Sequence, residues 1–360
     1  MSLSDRTTRN EPGAVDRAAR EVERYAMRVD GPADADALLD RCADARFVLL
    51  GEAPHGTSES YRWRAHLTAR LVRDHGFDFV AVEGDWTSRY EPNRLVKGLP
   101  GADGTVREVL DSFDRWPTWM WANWETAQFL EWLERHNRES SEHERGPSDA
   151  VGVYGLHVYG LFESMGAVVD YLSDEDPEAA EHAREAYRCF EPYGGDAKAV
   201  VWALNTHVGD ARATDMEARG RLNVGQLVRE DNPPEDVELV GFGSHAGSAV
   251  AGDEWGAPTE EMTVPAAVEG SLEDVFRRAG GADRLLLTDA VDEDDRLAEP
   301  RGHRAIGVVY HPDREVGNYV PTDLPDRYDA LVHLDRTTAL HPVEVHPDRD
   351  RVPELFPTGL

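Results

Sequence analysis

Glu52 and His55 stand three residues apart in Gly51-Glu52-Ala53-Pro54-His55-Gly56-Thr57. The segment lies between an apolar run, Phe47-Val48-Leu49-Leu50, and a helix-like stretch that starts near Ser58. A carboxylate beside an imidazole is an acid–base pair. The imidazole titrates near neutrality, so it can take a proton from water and return it to a leaving alkoxide. A strand-to-helix turn presents both side chains at the mouth of a sheet, where open α/β folds place ligands. The N-terminus of the following helix favours any anion that forms there. The same placement recurs along the chain. Glu83 ends the apolar run Phe77–Glu83, His157 follows Ala150–Tyr154, His207 follows Lys198–Ala203, and His245 follows Val237–Gly243. If these runs are parallel strands of one sheet, their titratable groups share its carboxyl edge.

Each of these residues also has a plainer reading. His55 could be a turn histidine bonded to a carbonyl, and Glu52 a carboxylate favoured by a helix N-terminus. Glu83 ends an otherwise apolar strand, where a carboxylate is costly unless a cation or donor meets it. Arg64, early in the helix after His55, could pair with a carboxylate, hold an oxyanion or lie on a solvated face. His207 and His245 are candidate substrate contacts or satisfied loop histidines. Trp116, Trp119, Trp121 and Trp124 form an aromatic cluster that could line an apolar cleft, with Trp119 and Trp121 against substrate, or could be core. Ser244, in Gly243-Ser244-His245-Ala246-Gly247, does not fit the Gly-x-Ser-x-Gly nucleophile elbow. No HExxH, P-loop or dinucleotide fingerprint is present. Glu52, His55, Glu83 and His207 are residue types that could also ligate zinc or manganese.

The elements that must position these groups alternate. Helical spacing covers Val15–Val29 and Ala35–Cys42. A buried strand over Arg46–Leu50, a helix over Glu59–His75 and a strand over Phe77–Glu83 follow. Helical stretches come next at about 86–97, 104–112 and 122–137, then a charged loop over Arg138–Ser148. The strand Ala150–Tyr154 precedes helices at 160–173 and 177–188, and Lys198–Ala203 is a strand. Thr214–Arg229 reads as a helix, Val237–Gly243 as a strand, Ser271–Arg278 as a helix and Arg284–Thr288 as a strand. Ala305–Tyr310 and Tyr328–Leu334 read as two last strands. Short apolar strands alternating with helices predict a three-layer α/β/α fold with a mostly parallel sheet. The expected organisation is a polar tail over 1–12, one domain over 13–345 with a helical insertion around 86–137, and a C-terminal tail over 346–360.

The chain has 360 residues, 38 basic and 70 acidic, for a formal charge of −32. Such acidity argues against nucleic acid and anionic membrane surfaces as partners. The lysines are Lys97 and Lys198 alone; the other basic residues are arginines. A surface rich in acid and poor in lysine suits high salt, where screening removes self-repulsion. The cysteines, Cys42 and Cys189, make neither a disulfide framework nor a metal knuckle. The N-terminus lacks an apolar signal region and no apolar run reaches membrane-span length, so the expectation is a cytoplasmic protein.

The motifs together resemble one family. Gly51–Thr57, Val82-Glu83-Gly84-Asp85, Trp119-Met120-Trp121, Trp202–Thr214, Gly241-Phe242-Gly243-Ser244-His245 and Ile306–Tyr310 are similar, in order, to segments of the erythromycin esterases, from about Arg46 to Glu344. The resemblance implies a hydrolase in which His55 activates water against an ester or lactone. Glu52 and Glu83 would position the base or the water, and Arg64 and His207 would stabilise the oxyanion. His157, His245, Trp119 and Trp121 would contact a small-molecule substrate. It implies no cofactor or obligatory metal, and the family name suggests a response to antibiotic. Two alternatives stay open: a metal-dependent hydrolase on the same residues, and a catalytically silent small-molecule binder. The chain departs from the family pattern in three places. Leu204 stands where the pattern has histidine, His157 where it has aspartate, and Tyr187–Lys198 is a short connection where it has a long helical stretch. If the strands carrying 157 and 204 are neighbours, their ends lie about 5 Å apart and His157 could replace the missing imidazole.

Overall fold

Phe47–Leu50 is apolar at every position, as a strand covered on both faces must be. In the computed structural model of the chain it lies inside a nine-stranded sheet. The structure describes residues 13–113, 116–141, 150–157, 197–292 and 295–343. The tails expected over 1–12 and 346–360, the helices expected at 160–173 and 177–188, and most of the charged loop and of the short 187–198 connection lie outside the described residues.

Numbered in chain order among the described residues, the strands are β1 Met27–Arg28, β2 Phe47–Leu50, β3 Phe79–Asp85, β4 Gly152–His157, β5 Ala199–Trp202, β6 Val237–Gly252, β7 Thr259–Val264, β8 Arg284–Leu287, β9 Arg301–Arg304, β10 Tyr319–Thr322 and β11 Ala330–Thr337. The helices are α1 Ala14–Tyr25, α2 Asp36–Cys42, α3 Ser58–His75, α4 Trp86–Val96, α5 Val106–Asp111, α6 Trp124–Ser141, α7 Asn205–Val208, α8 Val224–Asp231, α9 Leu272–Arg278 and α10 Leu324–Arg327. The sheet runs β1-β8-β11-β6-β2-β5-β3-β4, with β7 added to β6, while β9 and β10 pair separately. From β11 to β4 every neighbouring pair is parallel; β1, β7 and β8 are antiparallel additions.

Strand alternation sorts the core into two faces. Val48, Leu50, Val80, Val82, Val200 and Trp202 pack with Leu38 and Leu39 of α2, Trp63 and Leu67 of α3, and Phe129 and Leu133 of α6. The intervening Leu49, Ala81 and Val201 pack with Ala18 and Val22 of α1 and with Val275 and Phe276 of α9. Both faces are covered, as the sequence predicts, and burying each Val or Leu contributes roughly 1.5–3 kcal/mol. No helix among the described residues is long and apolar enough to cross a membrane.

Four element expectations need correction. The helix expected over Val15–Val29 stops at Tyr25, and Met27–Arg28 pairs with β8 as β1. Thr214–Arg229 is not one helix: a short 3-10 turn stops at Gly220, which adopts φ 66°, and α8 starts again where the Asn223 side chain accepts from Gln226 N. The strand expected to end at Gly243 runs on to Gly252. Ala305–Tyr310 is not a sheet strand. Ile306 and Tyr310 bury against Ala249, Ala251 and Val264, and the segment's carbonyls serve its neighbours: Ile306 O accepts from His55 N and Val308 O from Gly252 N.

Candidate active site

The loop from Gly51 to Thr57 leaves β2 and enters α3 held at many points. A Cβ on Gly51 would lie 2.1 Å from Asn205 Oδ1. Gly56 has φ 75°, and a Cβ there would lie 2.2 Å from Val250 O, so only glycine fits without displacement. Val250 N and Leu340 N both donate to Gly56 O, at 3.0 and 2.9 Å. Ser244 Oγ donates to Ala53 O, and Asn205 N to Glu52 O.

This frame fixes a buried chain of charges. Arg64, Glu52 and His55 are all buried. Arg64 places Nη1 3.1 Å and Nη2 3.2 Å from the two Glu52 oxygens, and its guanidinium lies over the Tyr61 and Trp202 rings. A carboxylate only accepts, so His55 donates from Nδ1 to Glu52 Oε1 at 2.8 Å. That leaves Nε2 facing Glu83 Oε1 at 3.9 Å. Burial alone would pull the His55 pKa down. The charge and hydrogen bond of Glu52, with the charge of Glu83, outweigh it and hold the pKa above its ordinary value.

Glu83 sits where the pairing of β3 with β4 loses register, between Val82 and Asp85. Its Oε2 accepts from Leu204 N at 2.7 Å and stands 2.9 Å from His207 Nδ1. Burial opposes its ionisation, but His207, His55 and the Leu204 N–H bring its pKa down to about 2. Trp121 donates from Nε1 to Glu83 O. His207, on α7, is 39% exposed, against 14% for Glu83. Glu52, His55, Glu83 and His207 thus form one contiguous cluster at the strands' carboxyl ends.

Other candidates fall elsewhere. Arg64 is fully enclosed and turned to Glu52, so it is not placed to meet an oxyanion in the crevice. His245 does not follow a strand but lies inside β6, among the charges of Arg277, Asp335, Arg304 and Asp274. Burial and then Arg277 lower its pKa. Trp119 is buried against Gly56, and Trp121 packs with Tyr61 and Trp202, so both support the loop and Glu83 from behind. The side chain of His157 lies outside what the structure describes; its backbone ends β4. β3 stands between β4 and β5, so the 157 and 204 positions are not on neighbouring strands, and the premise for His157 replacing an imidazole at 204 fails. Leu204 supplies its backbone N–H to Glu83 instead.

Sequence reasoning did not single out Asn205, Tyr61 or Trp202 for the site. Asn205 could have been suspected from its place two residues before His207; the two aromatic rings carry no local signal. Among the described residues no group of three or more His, Cys, Asp or Glu side chains is arranged to hold a metal ion.

The fold has solved counterparts. A structure described as a succinoglycan biosynthesis protein aligns with TM-score 0.67 at 17% identity, over 91% of this chain and 98% of its own. A Bacillus cereus protein aligns with TM-score 0.67 at 15% identity, over 92% and 99%. A mutant of the erythromycin esterase EreC in its open conformation aligns with TM-score 0.55 at 16% identity, over 85% and 94%. At such identities the likeness speaks for the fold. The model of the family described as erythromycin esterase matches residues 72–197 and 194–337, spans that hold Glu83 and His207 and begin after Glu52, His55 and Arg64. The chain therefore belongs to the erythromycin esterase family.

Proposed function

We propose that the protein hydrolyses an ester or lactone of a small molecule by His55-activated attack of water. The observation that carries this reading is the chain Arg64–Glu52–His55, which orients one imidazole nitrogen and leaves the other facing Glu83 across 3.9 Å. That gap is too long for a direct hydrogen bond and invites a water seated against both groups. His55 Nε2 takes a proton from that water as its oxygen attacks the carbonyl carbon. Glu83 orients the water, and His207, on the open side, carries a proton on each ring nitrogen, so that Nδ1 stays on Glu83 while Nε2 donates to the developing oxyanion. Collapse breaks the carbon–oxygen bond of the leaving group. The alkoxide recovers the proton from His55, giving acid and alcohol. Glu52 holds the His55 tautomer, and Arg64 holds Glu52.

The test is a panel of aryl esters and lactones assayed at molar salt, with and without chelator, on the wild type and on His55→Ala. The reading expects turnover that survives chelator and falls roughly 10²–10⁴-fold in the variant. Full turnover by His55→Ala removes the residue from the mechanism. Loss of wild-type activity with chelator replaces the reading by metal-dependent hydrolysis. Binding of panel members without turnover replaces it by a silent binding protein.

A further inference from the structure

Behind the turn that carries His207 lies a buried pair that this mechanism does not use. Glu273 on α9 and His303 on β9 are both enclosed, and His303 Nδ1 donates to Glu273 Oε1 at 2.7 Å. With its proton at Nδ1, His303 accepts at Nε2 from Asn205 Nδ2 at 3.0 Å. Asn205 is the first residue of α7. Its amide also donates to Phe242 O and accepts from Phe242 N, which pins α7 to β6. Its own backbone N–H donates to Glu52 O, and its carbonyl accepts from Arg327 Nη2 and Gly209 N. The residue before it gives its N–H to Glu83, and the residue two after it is His207. Asn205 therefore joins the buried pair to the backbone of Glu52 and, through its neighbours Leu204 and His207, to the carboxylate of Glu83.

Stability gives little reason to keep such a pair. Buried hydrogen-bonded partners can often be replaced together by apolar residues of like shape with little loss of stability. Glu273 Oε2 has no hydrogen-bond partner among the described residues, which makes this pair less favourable still. What the pair does supply is direction. Asn205 could turn its amide in several ways, and an acceptor fixed at His303 Nε2 allows one.

We propose that Glu273 and His303 are positioning residues for the site: acting through Asn205, they set the 204–207 turn so that Leu204 N–H and His207 both meet Glu83. The role rests on the hydrolase reading for its kinetic consequence but not for its structural one. Glu273→Leu combined with His303→Leu removes both partners at once, and Arg304 keeps its ion pair with Glu315. The folded double variant is expected to lose about 10–100-fold in kcat with KM within about twofold, as for a site loosened by about an ångström. In histidine-labelled protein, the imidazole nitrogen signals of His207 should also lose the shift that marks contact with Glu83. His303→Gln, whose amide oxygen can still accept from Asn205, should restore both.

A folded double variant with unchanged kcat and unchanged His207 signals would reduce the pair to packing and overturn the proposal. If the double variant does not fold, His303→Gln decides. Near-native His207 signals support the link through Asn205, and their loss refutes it. Should the wild type turn over no ester, the hydrolase reading falls while the His207 signals still test the positioning.

Discussion

Arg64→Met breaks the innermost contact of the site, and its effect on folding can be worked out from the surroundings. The guanidinium lies 3.1 and 3.2 Å from the Glu52 oxygens, and both side chains are buried. Methionine keeps much of the stem's volume against Tyr61 and Trp202 but leaves the Glu52 charge without its cation. Stranding one partner of a buried pair costs about 3–5 kcal/mol. Loss of the two aromatic contacts, at 4.2 and 5.2 Å, adds about 1 kcal/mol. At about 2 cal/mol/K of unfolding entropy per residue, a total of about 5 kcal/mol lowers the melting temperature of a chain this long by roughly 7 °C. Adding Glu52→Gln removes the stranded charge. The double variant should therefore be more stable than Arg64→Met alone, although it carries one more substitution. It should also remain inactive, because a neutral amide in place of the Glu52 carboxylate no longer supplies the charge that holds His55. The measurements are thermal melts of the four proteins and their ester hydrolysis rates. A double variant less stable than the single, by the sum of the separate losses, would refute the view that Arg64 is kept to neutralise Glu52.

Glu83→Gln removes one of the charges that hold the His55 pKa up. A base works deprotonated, so the acid limb of the kcat/KM profile should move to lower pH; a limb that stays put or moves up contradicts the base assignment. Acid should unfold the protein in stages. Glu83 and Glu273 fall from 4.5 unfolded to about 2 folded, so their contribution is present above 4.5 and lost as pH falls toward 2. Burial lowers the His333 pKa from 6.5 to about 3, so the unfolded chain binds its proton first and stability declines from pH 6.5 downward. Urea midpoints measured from pH 7 to pH 3 should fall throughout, and a flat series would contradict both windows. The formal charge of −32 predicts a lower melting temperature at low than at molar KCl, and equal values would count against a salt-adapted surface.

What the sequence revealed and what it hid divide along a physical line. Apolar runs and glycine-bearing turns are local, so β2, β3 and β5 could be read, and with them the gathering of Glu52, His55, Glu83 and His207 at one edge. Strand adjacency is not local. Nothing in Ala150–Tyr154 or Lys198–Ala203 says that β3 comes between them, which is why the pairing of positions 157 and 204 failed. Burial of a polar or aromatic side chain depends on what arrives from far along the chain. Arg64 looked available for an oxyanion because its enclosure depends on Trp202 and on the turn to Glu52, and Trp202 is distant in sequence. His245 looked like an end-of-strand residue because β6 gives no sign of stopping or continuing at Gly243. The Glu273–His303 pair was invisible for the same reason: its meaning comes only through Asn205.

β6 serves as a ruler for the crevice. Over 16 residues it pairs with β2 at Val237–Val240, with β11 at Val240–Gly247 and with β7 at Gly247–Gly252. On the way it meets the Asn205 amide at Phe242, the Gly51–Thr57 loop at Ser244 and the Gly56 carbonyl at Val250. These contacts are spaced by the strand's own rise of about 3.3 Å per residue. One residue inserted between Ser244 and Val250 would swap the faces of everything after it and carry Val250 away from Gly56. Changes of length in this part of the chain therefore belong at the hairpin tip, Asp253–Pro258, between the paired spans of β6 and β7. Relatives should vary in length there, while the interval from Phe242 to Val250 stays constant in number.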